Sequence, residues 1–186
     1  MRTVDAIKTL AAWDRLGRTV FTLADLRKLF PHRSDKALSA SVGRLVREGL
    51  LERAANGVFV NPLSSRSRAD LLEKVACAIR RGEYNYLSLE CALSEWGVIS
   101  QVPQAYLTIM TTGRKGVFRT PYGTIEFTHT QRSEADIVES TLRRDRPLRL
   151  ATAPAAFRDL KRVGRNLHLV DLEEMQEYLA VPGEAA

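Results

Sequence analysis

Cysteine is scarce: Cys77 and Cys91 are the only two in 186 residues, too few for a disulfide framework. Both fall where apolar residues recur at helical spacing, so each reads as a small thiol packed inside. Histidine is scarce as well. His32, His129 and His168 lie far apart, and neither a Cys/His zinc spacing nor an H-E-x-x-H pattern occurs. No apolar stretch approaches the roughly 18–20 residues that a bilayer span takes. Arg2, Asp5 and Lys8 interrupt the first apolar positions, so no signal-peptide core can be drawn there. Nor is there a G-x-S-x-G elbow, or carboxylates paired in an apolar setting. These absences predict a cytoplasmic chain with no membrane partner, no metal, no cofactor, no catalytic residues and no enzymatic activity.

What is present suits one or two small globular domains: 45% of residues are apolar and 27% charged. Charge is unevenly placed. Residues 1–62 hold 11 Lys+Arg against 6 Asp+Glu, leaving +5, while residues 63–186 hold 17 against 16, leaving +1. A compact basic module followed by a nearly neutral body points to a polyanion for the module and another task for the body.

The first third has a readable order. Val4, Ile7, Leu10 and Ala11 recur at helical spacing up to Gly17. Val20 and Phe21 favour a strand, and Thr22 is a fitting N-cap for a helix that Pro31 ends. Ser34 caps a third helix that runs to Glu48 and closes at Gly49. Strands over residues 51–54 and 58–61 follow, joined by Asn56-Gly57, the strongest short hairpin signal. Helix, helix, turn, helix and hairpin is the order of a winged helix-turn-helix.

At about 100° per residue, the third helix turns Leu38, Ser41, Val42, Leu45 and Val46 to one side. The other side carries Lys36, Ala40, Gly43 and Arg47, flanked by Ser39 and Arg44. Small residues with cations suit a face that enters a groove about 12 Å wide. The expected DNA-binding residues are therefore Lys36 and Ser39 near the start of the helix, and Arg44 and Arg47 further along. Arg33 in the turn and Arg53, Asn56 and Gly57 in the wing complete the set.

The expected domains are a winged helix-turn-helix over 1–62, a linker over 63–69, an α+β domain over 70–182 and a frayed tail over 183–186. In the second domain, helices are expected from Leu71, Val75 and Ile79 and, after Ser88, from Leu89, Ala92, Leu93 and Trp96. Residues from Ala105 then alternate with period two through turns at Gly113 and Gly123, which predicts a small three-stranded antiparallel meander with a hairpin turn at residues 112–116. Ser133 and Asp171 open capping boxes with Asp136 and Glu174, and Pro154 sits in the first turn of a helix ending at Gly164. Glu90 and Glu95 are expected to face water, and Arg143-Arg144-Asp145-Arg146 to be a solvated charge run.

Several segments resemble one family. Ser88-Leu89-Glu90-Cys91-Ala92-Leu93 through Gln101-Val102-Pro103, then Tyr122-Gly123-Thr124-Ile125-Glu126-Phe127, then Gly164-Arg165-Asn166 with Val170-Asp171, resemble stretches of AbiEi-type antitoxins. Gly49-Leu50-Leu51 with Val58-Phe59-Val60 resembles that family's hairpin after the recognition helix. One departure is plain: Ala155 stands where the family's late helix commonly carries glutamate after proline, so no role resting on that acid is carried over. The resemblance implies an antitoxin of a toxin–antitoxin (abortive-infection) system, with an N-terminal winged helix-turn-helix that represses its own operon at inverted repeats in double-stranded DNA. It further implies a C-terminal domain that counteracts a nucleotidyltransferase-like toxin, directly or functionally. A ligand-responsive transcriptional regulator with no toxin partner is the alternative from another class.

Overall fold

The computed structural model describes residues 2–30, 34–65, 68–100 and 104–180. The chain is α+β and forms two compact units, Met1–Ile79 with Thr120–Tyr122, and Arg80–Arg119 with Gly123–Ala186.

In the first unit the order is α1 (Thr3–Arg15), β1 (Val20–Thr22), α2 (Leu23–Leu29), α3 (Asp35–Arg47), β2 (Glu52–Ala55), β3 (Val58–Val60) and α4 (Leu71–Ile79). Local chemistry sets the boundaries. The Thr22 side chain accepts from the Asp25 N–H while the Asp25 carboxylate accepts from the Thr22 N–H, a reciprocal cap on α2. Ser34 accepts from the Ala37 N–H to start α3. The hairpin turn is made at Gly57, whose φ of 71° is one that residues with a Cβ rarely adopt. β3 lies between β1 and β2, antiparallel to both, with a register shift between Arg53 and Ala55. The core gathers Ala6 and Leu10 of α1, Phe21, Leu26, then Leu38, Val42 and Leu45 of α3, with Leu51 and Phe59.

The division between the units falls later than the sequence suggests. α4 packs against β1 and β3, and the described part of the expected linker is tied to α1. Asp14 accepts from the Ser64 hydroxyl and from the Ser65 N–H at 3.3 Å. A segment so bonded continues the first unit. Arg66 and Ser67 of that linker, and the expected tail 183–186, lie outside the described residues.

The second unit holds β4 (Asn85–Leu87), α5 (Leu89–Glu95), β5 (Tyr106–Thr111), β6 (Gly116–Thr120), β7 (Gly123–His129), α6 (Glu134–Glu139), β8 (Thr141–Leu142), β9 (Arg149–Ala151), α7 (Ala153–Val163), a single 3-10 turn (Leu167–Leu169) and α8 (Leu172–Ala180). The expected small antiparallel sheet is corrected here to a six-stranded mixed sheet ordered β6-β7-β5-β4-β9-β8. β5 pairs with β7 in parallel, in register from Tyr106↔Thr124 to Thr111↔His129, and β4 pairs with β9 in parallel. Residues 112–115 therefore connect two strands that are not neighbours, rather than closing a hairpin. Leu142 pairs with Leu150 as part of β8. α5 packs on α7 and on β5, and α7 carries α8.

Candidate nucleic-acid interface

α3 presents its two sides as its spacing demands. Leu38, Ser41, Val42 and Leu45 are buried, whereas Lys36, Ser39, Ala40 and Arg47 are exposed and Gly43 is half-buried. A Cβ added at Gly43 would meet nothing within 4 Å, so this position is small without any packing need to be so. The first turn sits on the Ser34 cap, and Arg44 and Arg47 occupy the last turn. Cations at a helix C-terminus favour its exposed carbonyls, which makes α3 locally more stable with its arginines than without them.

The cations of this unit fall into two groups. Arg2 pairs with Asp5 at 3.1 Å, Arg18 with Asp25 at 2.8 Å, and Arg27 with Asp35 at 3.0 Å. Arg44 lies 3.9 Å from Glu48, a carboxylate at the C-cap that a residue-by-residue reading of the outer face leaves out. Among the described residues, no side chain hydrogen-bonds or pairs with Lys36, Ser39 or Arg47. Those three are the polar groups on α3 whose hydrogen bonds go to water, and which a phosphate can take over.

The hairpin brings Arg53 out on β2, its guanidinium 5.1 Å from the Phe59 ring centre, and exposes Asn56 at the turn. The Gly57 carbonyl accepts from the Leu23 N–H at 2.8 Å, which fixes the turn against the start of α2. Tyr122 donates to Glu52 of β2 at 2.6 Å. Burial, followed by that bond to a carboxylate, pushes the Tyr122 phenol well above its ordinary value. Arg33 lies outside the described residues.

Two polar clusters of the second unit were not legible in the sequence. Glu90, expected to face water, is buried: Arg165 donates to it at 2.8 Å and 3.2 Å, and Asn166 donates at 2.8 Å. Arg165 also reaches Glu126 at 2.5 Å, and Tyr106 donates to the other Glu126 oxygen at 2.6 Å. Burial raises the Glu126 carboxyl, but the bonds from Arg165 and Tyr106 outweigh it and leave it below the usual carboxylate range. The bond to Glu126, with burial, pushes the Tyr106 phenol to about 12. Leu89 and Asn166 both hold left-handed backbone beside this cluster, with φ of 57° and 54°. In the second cluster Asp159 of α7 is 1% exposed and accepts from Ser88 at 2.8 Å, Tyr86 at 3.2 Å and Arg132 at 2.8 Å. Both clusters join residues 20 to 76 positions apart, and no local pattern announces such pairs.

Other groups are engaged in ordinary ways. Glu95 pairs with Arg146 at 2.6 Å and Arg144 stacks over Trp96 at 5.4 Å, so two of the cations in that charge run are held rather than freely solvated. A cleft of about 770 Å³ is lined by Glu83, Thr112, Gly113, Arg114, Lys115, Thr128 and His129. Within it Thr112 donates to Glu83 at 2.7 Å, and His129 Nδ1 lies 2.8 Å from the Gly113 carbonyl. Among the described residues no group of three His, Cys, Asp or Glu side chains could hold a metal ion. Nor is any helix there long and apolar enough to cross a membrane.

No family model matches the chain, and no curated protein matches it. Among solved structures, the crystal structure of the RV2827C protein from Mycobacterium tuberculosis is similar, with a TM-score of 0.50 at 17% identity over 77% of this chain. The match covers 50% of that protein, so this chain spans about half of it. At such identity the likeness is one of fold.

Proposed function

We propose that the first unit is a winged helix-turn-helix that binds double-stranded DNA, with α3 as the recognition helix and the β2–β3 hairpin as the wing. The chain acts as the antitoxin and autorepressor of a toxin–antitoxin pair, and its second unit opposes a nucleotidyltransferase-like toxin. The observation that carries the DNA reading is the outward face of α3. It combines cations and a hydroxyl without intramolecular partners, Lys36, Ser39 and Arg47, with the small Ala40 and Gly43. Small residues allow a close approach to a base-pair edge, and the cations take phosphates or guanine. The excess charge of +5 in residues 1–62 against +1 in the remainder supports the same division of labour. The antitoxin reading rests on the segment resemblance given above.

The test uses the full chain and the DNA upstream of its own gene. Arg44→Ala with Arg47→Ala should weaken binding at least tenfold, since each lost base or phosphate contact is worth about 1–3 kcal/mol. Growth rescue against the toxin should survive in the same variant, because both substitutions lie in the first unit. Unchanged DNA affinity overturns the assignment of α3. Failure of the native chain to rescue growth overturns the antitoxin reading and leaves the DNA reading standing.

A further inference from the structure

The connection from β5 to β6 has to cross the end of β7, because β7 lies between those two strands in the sheet. β5 and β7 run in parallel and finish together, Thr111 opposite His129. Residues 112–115 therefore stand over two neighbouring carboxyl ends, and they are held there through main-chain carbonyls. His129 Nδ1 lies 2.8 Å from the Gly113 carbonyl, and Arg80 Nε donates to the Arg114 carbonyl at 2.9 Å. The Arg80 guanidinium is itself seated over the Phe118 and Phe127 rings, 5.0 Å from each centre. Gly113 is pressed so close that a Cβ would stand 2.9 Å from Glu83 Cγ and 3.2 Å from Arg80 Cδ. With the main chain pinned, the exposed side chains of Arg114 and Lys115 edge the cleft of about 770 Å³. Among the described residues, neither side chain hydrogen-bonds or pairs with any group.

The same cleft offers acceptors. A carbonyl can only accept, so His129 Nδ1 carries the proton in its bond to Gly113 and Nε2 of the neutral ring is left as an acceptor. Glu83 takes the Thr112 hydroxyl on one carboxylate oxygen at 2.7 Å and keeps the other. Two unpaired cations beside two acceptors suit neither a bare anion, which Glu83 repels, nor a cation, which Arg114 and Lys115 repel. They suit a molecule with phosphate at one end and O–H or N–H donors at the other. Ligand clefts run from about 300 to 1,000 Å³, and beside parallel strands they lie outside the carboxyl ends, where the outgoing connections diverge. We infer that this cleft binds a nucleoside phosphate, with its phosphates on Arg114 and Lys115 and its sugar hydroxyls or base amine on Glu83 and His129. Every residue involved belongs to the second unit. The inference therefore stands apart from DNA binding by α3 and from any action on a toxin.

The experiment titrates the full chain with ATP, ADP, AMP, adenosine and inorganic triphosphate by calorimetry, and follows the assigned His129 ring resonances. ATP is expected to bind, with affinity falling as each phosphate is removed, and inorganic triphosphate to bind at least tenfold more weakly than ATP. Arg114→Gln with Lys115→Gln should weaken ATP at least tenfold. Arg143→Gln, at an exposed cation outside the cleft, should leave its affinity unchanged. Thermal midpoints without ligand check that the variants are folded, and the His129 shift on adding ATP is read in the native chain itself. No ATP binding at millimolar concentration overturns the inference. Equal affinity in the double variant, or an unmoved His129 ring, places the nucleotide elsewhere and overturns it too. Triphosphate as tight as ATP makes the cleft an anion site and overturns the nucleoside assignment. A DNA duplex of unrelated sequence that displaces ATP, and that the double variant binds tenfold more weakly, makes the cleft a nucleic-acid contact and overturns the inference. None of these readings uses operator affinity or growth rescue, so the proposed function stands or falls separately.

Discussion

Single residues carry sharp constraints in this chain. Gly123 has φ of 140°, and a Cβ there would stand 2.2 Å from the Ala105 carbonyl oxygen. Gly123→Ala is expected to destabilise by at least about 2 kcal/mol, from backbone strain plus that collision, read as a lower urea midpoint. Cys77 is shifted by burial, then by Glu73, to about 11 from an ordinary 9.0. Its thiolate fraction near neutral pH is thus about a hundredfold below that of a free thiol. Iodoacetamide should alkylate it about a hundred times more slowly in the native chain than in urea, and equal rates would refute the burial. The caps and stops at Thr22, Ser34, Ser133, Gly17 and Gly49 were legible because each acts on N–H and C=O groups within a few residues of itself. Glu90 was not: whether its carboxylate faces water depends on Arg165, 75 positions further along the chain.

At the scale of elements, α3 was legible to within one residue, ending at Arg47 rather than Glu48, since its apolar spacing fixes which side packs. Gly43 offers a test of why its outer face is small. Helix propensity alone makes Gly43→Ala stabilising by roughly 0.5–1 kcal/mol, and the space is open. We expect a higher thermal midpoint together with weaker operator binding; gain in both would show that the face does not enter a groove. The sheet of the second unit was less legible. Alternation marks β5 and β7 as strands but says nothing of their neighbours, and β4, β8 and β9 are two or three residues long, too short to alternate visibly. The cluster that ties α5, β5, β7 and the end of α7 together is also pH-sensitive. Because Glu126 is held below its ordinary value of 4.5, it stabilises the fold above the unfolded-state value, and that stability is lost as pH falls through the folded one. Urea midpoints should drop as pH falls below about 4.5, and Glu126→Gln should flatten the drop.

The molecule as a whole divides its chemistry as it divides its chain. The first unit carries the basic excess and the unpaired cations of α3; the second carries a charge-balanced sheet and an acidic helix. If three to five phosphates are neutralised, log K for operator DNA should fall against log salt with a slope of about −3 to −5. Arg44→Ala with Arg47→Ala should reduce that slope by up to about 2. A slope near zero in the native protein would remove the polyanion reading altogether. Where the first unit ends was not legible, because the polar run that suggests a linker gains its bonds to Asp14 only in three dimensions.

The mixed sheet also sets a schedule. β4 pairs on one side with β5, about 20 residues ahead, but on the other with β9, where Tyr86 meets Arg149. During synthesis at roughly 5–20 residues per second, that second edge waits several seconds uncovered after β4 has left the ribosome. The sheet of a nascent chain therefore stays incomplete until β9 has been made.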